Sequence, residues 1–386
     1  MQGEGKAKMP TNEQIDKVMA LFQAAGHHPV SPPILQPADI FLDLTGEDIR
    51  RRLYLTTGAN GVDLCLRPDF TIPVCRAHLE AADMSIPTAY SYHGPVFRQR
   101  SDGLGEIPQI GAESFGRDDR NAADADMLAL SVKALDEFGT PASDIRIGDE
   151  GLFVAVLGGL DLPVVWQRRL RDLFGETAKL DDALERLSGT VSSTSALDDK
   201  RLGFLAALEG ADPEAAQSMV EGLLSIAGIS TVAGRSASEI AERFLEQAAL
   251  TSGTSDTKAA ADVLKAYLAL NTSADKAVDV LSGFARTHKL DLTDALVVFK
   301  DRLDAIKARG LDLSAITFSA GFGRRLDYYT GFIFEIYGAG GREAGQLVGG
   351  GRYDRLLNLL GAEAEILAIG FSIWLDRISG AREASQ

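Results

Sequence analysis

Four short stretches concentrate the side chains that a buried small-molecule site needs. They are LRPDFT (66–71), GPVFRQR (94–100) with PQIGAESFG (108–116), GRRLDYYTGFIFE (323–335) and GGGRYDRLL (349–357). In the first, Pro68 has no amide donor and restricts Arg67 to extended backbone, which places Asp69 and Thr71 at the end of a strand. Asp69 can hold an ammonium group there, or it can be an ordinary exposed carboxylate. In the second, Arg98 lies in an alternating aromatic strand, where a planar guanidinium can clamp a carboxylate or phosphate; lying over an apolar face is its plainer use. Gln109 and Glu113 flank Gly111 and face the same side of a strand, so they can read a cationic or imidazole-bearing ligand or simply face water. In the third, Arg324, Asp327, Tyr328 and Tyr329 crowd polar tips into a glycine-bounded turn, although half-buried packing with a wet hydroxyl is the commoner use of such tyrosines. The glycines of GGGRYD allow close backbone passage or positive φ, and a plain strand-turn role accounts for them alone. No phosphate loop of the form GxxxxGK[ST] is present.

The elements that must position these residues follow from periodicity. Thr11 with Gln14 forms a capping-box pattern, followed by Ile15, Val18, Met19 and Phe22 at helical spacing, and Gly26 should end this helix. From there to about residue 115 the chain is rich in proline, β-branched residues and aromatics, and VDLCLRP and TAYSYHGPVFRQR read as strands. NAADADMLALSVKALDEFG returns to helical periodicity and ends at Gly139. Pro163 and Pro213 are the only prolines from residue 163 onward. Ala/Leu-rich runs such as EAAQSMVEGLLSIAG and TKAAADVLKAYLAL predict a mostly helical insertion over 163–310. AITFSA and GFIFEIY then read as strands, and ILAIGFSIWLDRIS closes the chain as an amphipathic segment.

The bulk numbers narrow the function classes. A chain of 386 residues with 45% hydrophobic residues exceeds the size at which single cores usually split, so two or more domains are expected. The net charge of −16 repels a phosphate backbone and argues against a broad tRNA-binding surface. Cys65 and Cys75 are the only cysteines, no Cys/His grouping has zinc-site spacing, and reduced thiols are expected. Neither a signal core nor an apolar run of about 18 residues is evident, so a soluble, cytoplasmic protein without metal or cofactor is expected.

Taken together and in this order, the stretches resemble the class II aminoacyl-tRNA synthetase core, specifically that of histidyl-tRNA synthetase. The family's LRPEGT, motif 2 FRxE, RGLDYYTG and GGRYDGL are matched by LRPDFT, FRQR, RRLDYYTG and GGGRYDRL. The resemblance covers about residues 10–160 and 310–380. It implies an α+β fold, an antiparallel sheet flanked by helices, made from residues 10–160 and 310–386 and interrupted by the helical insertion at 163–310. It also implies dimerisation through motif 1, whose proline corresponds to Pro33. Carried over residue by residue, the histidine pocket comprises Asp69, Thr71, Gln109 and Glu113 with Tyr328, Tyr329 and Tyr353. Arg324 matches the family's catalytic arginine beside the histidine carboxylate.

The departures fall elsewhere. Arg98 is kept from motif 2, but Arg100 stands where the family places a glutamate against adenine. The loop SDGLGEIPQ lacks the arginines that would neutralise a triphosphate. In motif 3, family GFxxGxER, the glycine that leaves room for the nucleotide is replaced by Trp374, while Arg377 keeps the motif's arginine. The chain runs only a few residues past motif 3, so no anticodon-binding domain is expected. A retained histidine pocket beside a degenerate nucleotide site resembles the regulatory paralogues that pair with short-form ATP phosphoribosyltransferase. That resemblance implies a non-catalytic partner of the short catalytic subunit, with histidine as effector and a homodimer inside a hetero-octamer. A divergent histidyl-tRNA synthetase or other class II ligase, and a free-standing histidine sensor, are the alternatives.

Overall fold

A computed structural model describes residues 9–44, 47–80, 86–100, 105–188, 231–232, 235–236, 255–323 and 329–378. Arg324 and Tyr328 lie outside the described residues, as does the expected helix EAAQSMVEGLLSIAG. The first helix, Asn12–Ala24, begins where the capping box predicts: the Thr11 hydroxyl accepts from the Gln14 amide at 3.3 Å, and the Gln14 side chain accepts from the Thr11 amide at 3.1 Å. It ends before Gly26, whose φ of +89° suits a residue without Cβ.

Fourteen strands follow in chain order: β1 (His28–Pro29), β2 (Leu35–Pro37), β3 (Leu55–Thr57), β4 (Asp63–Leu66), β5 (Thr88–Phe97), β6 (Glu106–Phe115), β7 (Asp144–Asp149), β8 (Thr231–Val232), β9 (Arg235–Ser236), β10 (Asn271–Ser273), β11 (Ile316–Ser319), β12 (Phe332–Tyr337), β13 (Val348–Arg352) and β14 (Ala368–Trp374). Nine of them form one sheet in the order β1-β5-β6-β14-β13-β12-β7-β11-β10. The run from β5 to β7 is antiparallel, which is the expected arrangement; parallel pairings of β1 with β5 and β7 with β11 make the whole sheet mixed.

Each face of the sheet has its own cover. On one, the helix Arg120–Glu137 packs with the helix Thr293–Ala308, and Phe22 of the first helix meets Phe371 edge-on at 5.7 Å. On the other, the helix Thr71–Leu79 closes over Tyr92, Phe115, Tyr353 and Trp374, all buried with Phe70, Val74 and Cys75. The small sheet β2-β4-β3 adjoins this core through Cys65. Both cysteines are free and buried, and burial pushes the Cys65 thiol up to about 11.

The chain divides into a unit made of Met1–Phe153 with Ala269–Gln386 and a second unit, Val154–Leu268. The observed second unit is therefore narrower than the insertion expected at 163–310. The helices Ala274–His288 and Thr293–Ala308 belong to the sheet unit, where Phe299 packs on Phe318 of β11 with ring centroids 5.0 Å apart. Their 3.6-residue periodicity announces an apolar face but not the layer that receives it. Within the second unit, Trp166 and Leu170 lie on one helix, and Leu180, Leu184 and Leu187 lie on the next; all five are buried. Among the described residues no helix is long and apolar enough to cross a membrane.

Candidate functional site

The polar residues singled out above converge on one sheet face because β5, β6 and β14 alternate in register. On β6, Gln109, Gly111 and Glu113 point to the same side. Opposite them stand Gly94, Tyr92 and Tyr90 on β5, and Trp374, Ser372 and Gly370 on β14. Gly351 and Gly349 of β13 continue the rows beside Gly370 and Ser372. The glycines let larger side chains lie flat on the sheet: a Cβ at Gly111 would stand 2.5 Å from the Tyr92 hydroxyl, and one at Gly351 would stand 2.7 Å from the Tyr329 ring. The GGG run is thus strand, and none of its members takes a positive φ. Of the readings offered for these glycines, close passage is the one Gly350 and Gly351 show, and positive φ and a turn are not.

Glu113, 1% exposed, is the centre of the arrangement. The hydroxyls of Thr71 (2.9 Å) and Tyr92 (3.3 Å) donate to Oε1, and the Tyr353 hydroxyl donates to Oε2. Tyr92 is itself 2.7 Å from Ser372 Oγ. Burial pushes the Glu113 carboxyl up to about 8 against the pull of these hydroxyls, and the Asp69 carboxylate adds to the rise. Asp69 accepts the Ile72 amide on Oδ1 at 3.2 Å, while its buried Oδ2 has no partner among the described residues. Burial raises it to about 6 although Arg98 opposes the shift. Gln109 is 1% exposed, and neither of its amide atoms is bonded among the described residues. A buried amide and a buried carboxylate oxygen without partners cost several kcal/mol if nothing ever occupies them (roughly 1–3 per group).

Thr71, Glu113 and Tyr353 are therefore in direct contact, Asp69 lies within their electrostatic reach, and Tyr329 packs over Gly351 at the edge. Tyr92, Ser372 and Gly370 were not singled out from sequence. For Tyr92 the signal was available, since it alternates with Tyr90 in TAYSYHGPVF on the face that must carry Glu113.

The other end of the face is occupied by protein groups. Trp374, 5% exposed, stands beside Gln109. The Arg377 guanidinium lies 5.1 Å from the Trp374 ring centroid and donates to the carbonyl (2.6 Å) and side chain (3.1 Å) of Gln346. Arg100 pairs with Asp376 at 3.3 Å, and Arg98 Nε donates to the Pro68 carbonyl at 2.7 Å. Arg98, Arg100 and Arg377 thus all have internal partners already, and the Trp374 indole lies against the last of them.

The profile of the histidyl-tRNA synthetase family matches residues 8–220 and 215–378. The ATP phosphoribosyltransferase regulatory subunit of Brucella ovis is 45% identical over 350 residues, covering 90% of this chain and 92% of that protein. The protein of the same name from Brucella melitensis biotype 1 is also 45% identical over 350 residues, with 90% and 91% covered. Among solved structures, an ATP phosphoribosyltransferase regulatory subunit/histidyl-tRNA synthetase from Bacillus halodurans superposes with a TM-score of 0.65 at 19% identity, covering 99% of this chain and 83% of that one. Histidyl-tRNA synthetase from Nostoc sp. PCC 7120 superposes with a TM-score of 0.60 at 16% identity, covering 100% and 76%. At these identities the superpositions establish the fold.

Proposed function

Because the chain belongs to the histidyl-tRNA synthetase family, we propose that it is a regulatory subunit that binds the short catalytic subunit of ATP phosphoribosyltransferase and conveys feedback inhibition by histidine. Its relatives at 45% identity carry the name of regulatory subunit, which supports a regulatory and non-catalytic role. The observation that carries the histidine reading is the buried set of Glu113 with its three hydroxyls, and an Asp69 Oδ2 and a Gln109 amide that have no partner among the described residues. Histidine supplies what these groups lack: an ammonium for a buried carboxylate, an imidazole N–H for Glu113, and polar atoms for an amide. Inhibition then requires only that histidine bind the inactive assembly more tightly than the active one.

Glu113 is the anchor to test. Glu113→Gln removes the charge and leaves a similar shape, so it should raise the histidine dissociation constant by about 10- to 100-fold, the worth of a charged hydrogen bond. The histidine concentration that half-inhibits the reconstituted complex should rise in parallel. The sign of the pH dependence follows from burial. In the empty pocket Glu113 keeps its proton up to about 8; a cationic ligand favours the carboxylate, so binding expels that proton and tightens as pH rises. Between pH 7 and 8 the affinity should increase by about fivefold. Calorimetry in buffers of different ionisation enthalpy reads the proton release, which Glu113→Gln should abolish. Unchanged affinity and unchanged proton release in this variant would remove the pocket from the regulatory reading.

The nucleotide end makes the complementary statement. Histidine-dependent ATP–pyrophosphate exchange should be absent, and neither Arg100→Glu nor Trp374→Gly alone should restore it, since preorganised charges act as a set. Exchange at a synthetase-like rate would instead make the protein a divergent class II ligase. Histidine binding without association with the catalytic subunit would make it a free-standing sensor.

A further inference from the structure

Arg67 is a cation that the sheet unit keeps 4% exposed, and burial alone accounts for the lowering of its pKa. Among the described residues its hydrogen bonds run to carbonyls: Nε to Pro95 at 2.9 Å and a terminal nitrogen to Pro32 at 2.6 Å. Its guanidinium plane lies on Phe70, with Cζ 4.0 Å from the ring centroid. Phe70 in turn stacks on Tyr92 at 4.2 Å and 11°. Gly94 makes the room, since a Cβ there would meet an Arg67 terminal nitrogen at 2.9 Å. Burying a guanidinium is costly, and an aliphatic side chain would fill the same core without that cost. What the guanidinium adds is direction: two bonds at fixed angles and a flat face.

The stack ends on the site, because the Tyr92 hydroxyl lies within hydrogen-bond distance of Glu113 Oε1 (3.3 Å), the Phe371 carbonyl (3.2 Å) and Ser372 Oγ (2.7 Å). We infer that Arg67 is a positioning residue of the ligand pocket, holding Phe70 and thereby Tyr92 so that the Tyr92 hydroxyl stays aimed at Glu113, and tying this stack to the proline segment at Pro32. The inference rests on the histidine reading of the pocket. Lysine does not reproduce the arrangement, since an ammonium has neither the fork that reaches both carbonyls nor the plane that covers a ring. Among the described residues the groups that titrate or carry charge around Glu113 are Asp69, Cys75, Tyr92 and Tyr353, with Arg98 acting on Asp69. Of these, Tyr92 is the one the stack of Arg67 and Phe70 reaches.

The test is a double-mutant cycle in the full chain between Arg67→Met and Tyr92→Phe, read on histidine affinity and on the pH midpoint of histidine-linked proton release. Arg67→Met should weaken histidine by about fivefold and move the midpoint upward, because a carboxylate that loses a hydroxyl donor holds its proton longer. Tyr92→Phe should do the same, and adding Arg67→Met to it should change neither readout further. Phe70→Leu, which keeps the arginine and removes the stacked ring, should mimic Arg67→Met and serves in its place if that variant does not fold. A merely structural arginine would lower the denaturation midpoint while leaving affinity and proton release of the folded protein at wild-type values. That outcome, or an undiminished effect of Arg67→Met in the Tyr92→Phe background, overturns the inference. If the wild-type chain binds no histidine, the histidine reading fails on its own. The cycle is then read on the pH dependence of unfolding relative to Glu113→Gln, where the same non-additivity is expected and additive effects overturn the inference.

Discussion

Asp124→Ala should lower the free energy of unfolding by about 3–5 kcal/mol, the range for removing one partner from a buried ion pair. Asp124 is fully buried on the helix Arg120–Glu137, and two guanidiniums share it. Arg302 Nε donates to Oδ2 at 2.7 Å, and Arg352 donates to Oδ1 from Nε at 2.9 Å and from a terminal nitrogen at 2.7 Å. Arg302 also pairs with Asp149, and Arg352 with Asp354 at 2.7 Å. Alanine would leave two buried cations with one carboxylate each. The surface triad of Arg117 with Asp119 and Asp126 has equally short pairs, at 2.6 and 2.8 Å, but its side chains are 32%, 56% and 42% exposed. Arg117→Ala should therefore cost under about 1 kcal/mol, because water and ions screen those charges. Denaturant unfolding of both variants decides the matter, and a loss below about 1 kcal/mol for Asp124→Ala would show that the network does not hold the two layers together.

The network bears on the pocket through its position in the chain. Arg352 and Asp354 flank Tyr353, whose hydroxyl donates to Glu113 on the sheet face that carries the pocket. Asp354 also accepts the Ala368 amide at 2.8 Å and donates its own amide to Thr330 at 2.9 Å, so the segment carrying Tyr353 is held at both its neighbours. The helix Arg120–Glu137 is thus tied to the chain neighbour of Tyr353 by the bonds between Asp124 and Arg352.

None of this was legible in the sequence. NAADADM reads as a helix with polar positions, and nothing local says that Asp124 faces inward or that its partners lie 178 and 228 residues away. The capping box of the first helix was legible because both of its bonds close within three residues. The strands that carry Gln109, Glu113 and Tyr329's neighbours were legible from alternation, and the pocket from the order of four motifs rather than from any one of them. The glycines were legible only in part: Gly349, Gly350 and Gly351 allow either a turn or close passage, and only the register of β13 against β14 places them inside a packed sheet. Likewise the helices between Ala274 and Ala308 have the same periodicity as those of the second unit, since an apolar stripe records that a face is buried but not against what.

On the histidine reading proposed above, Gly370→Ala should abolish binding at histidine concentrations at least 100-fold above the wild-type dissociation constant, a loss of roughly 3 kcal/mol or more. The Glu113 carboxylate lies directly on Gly370: a Cβ there would fall 1.4 Å from Oε2, 2.4 Å from the carboxyl carbon and 2.9 Å from the Ala112 carbonyl. The backbone of β14 is fixed by its pairing with β6 on one side and β13 on the other, so the side chain must be the part that moves. Oε2 is the oxygen that receives the Tyr353 hydroxyl, and Oε1 receives Thr71 and Tyr92. A displaced carboxylate therefore loses its orientation as well as its place, which is more than Glu113→Gln removes. The added methyl should cost about 1–3 kcal/mol of stability by overpacking, so binding is to be measured at a temperature where the variant is shown folded by circular dichroism. Histidine titration of that folded protein checks the prediction. Affinity within tenfold of wild type would mean that the carboxylate seen on Gly370 is not the one that meets the ligand.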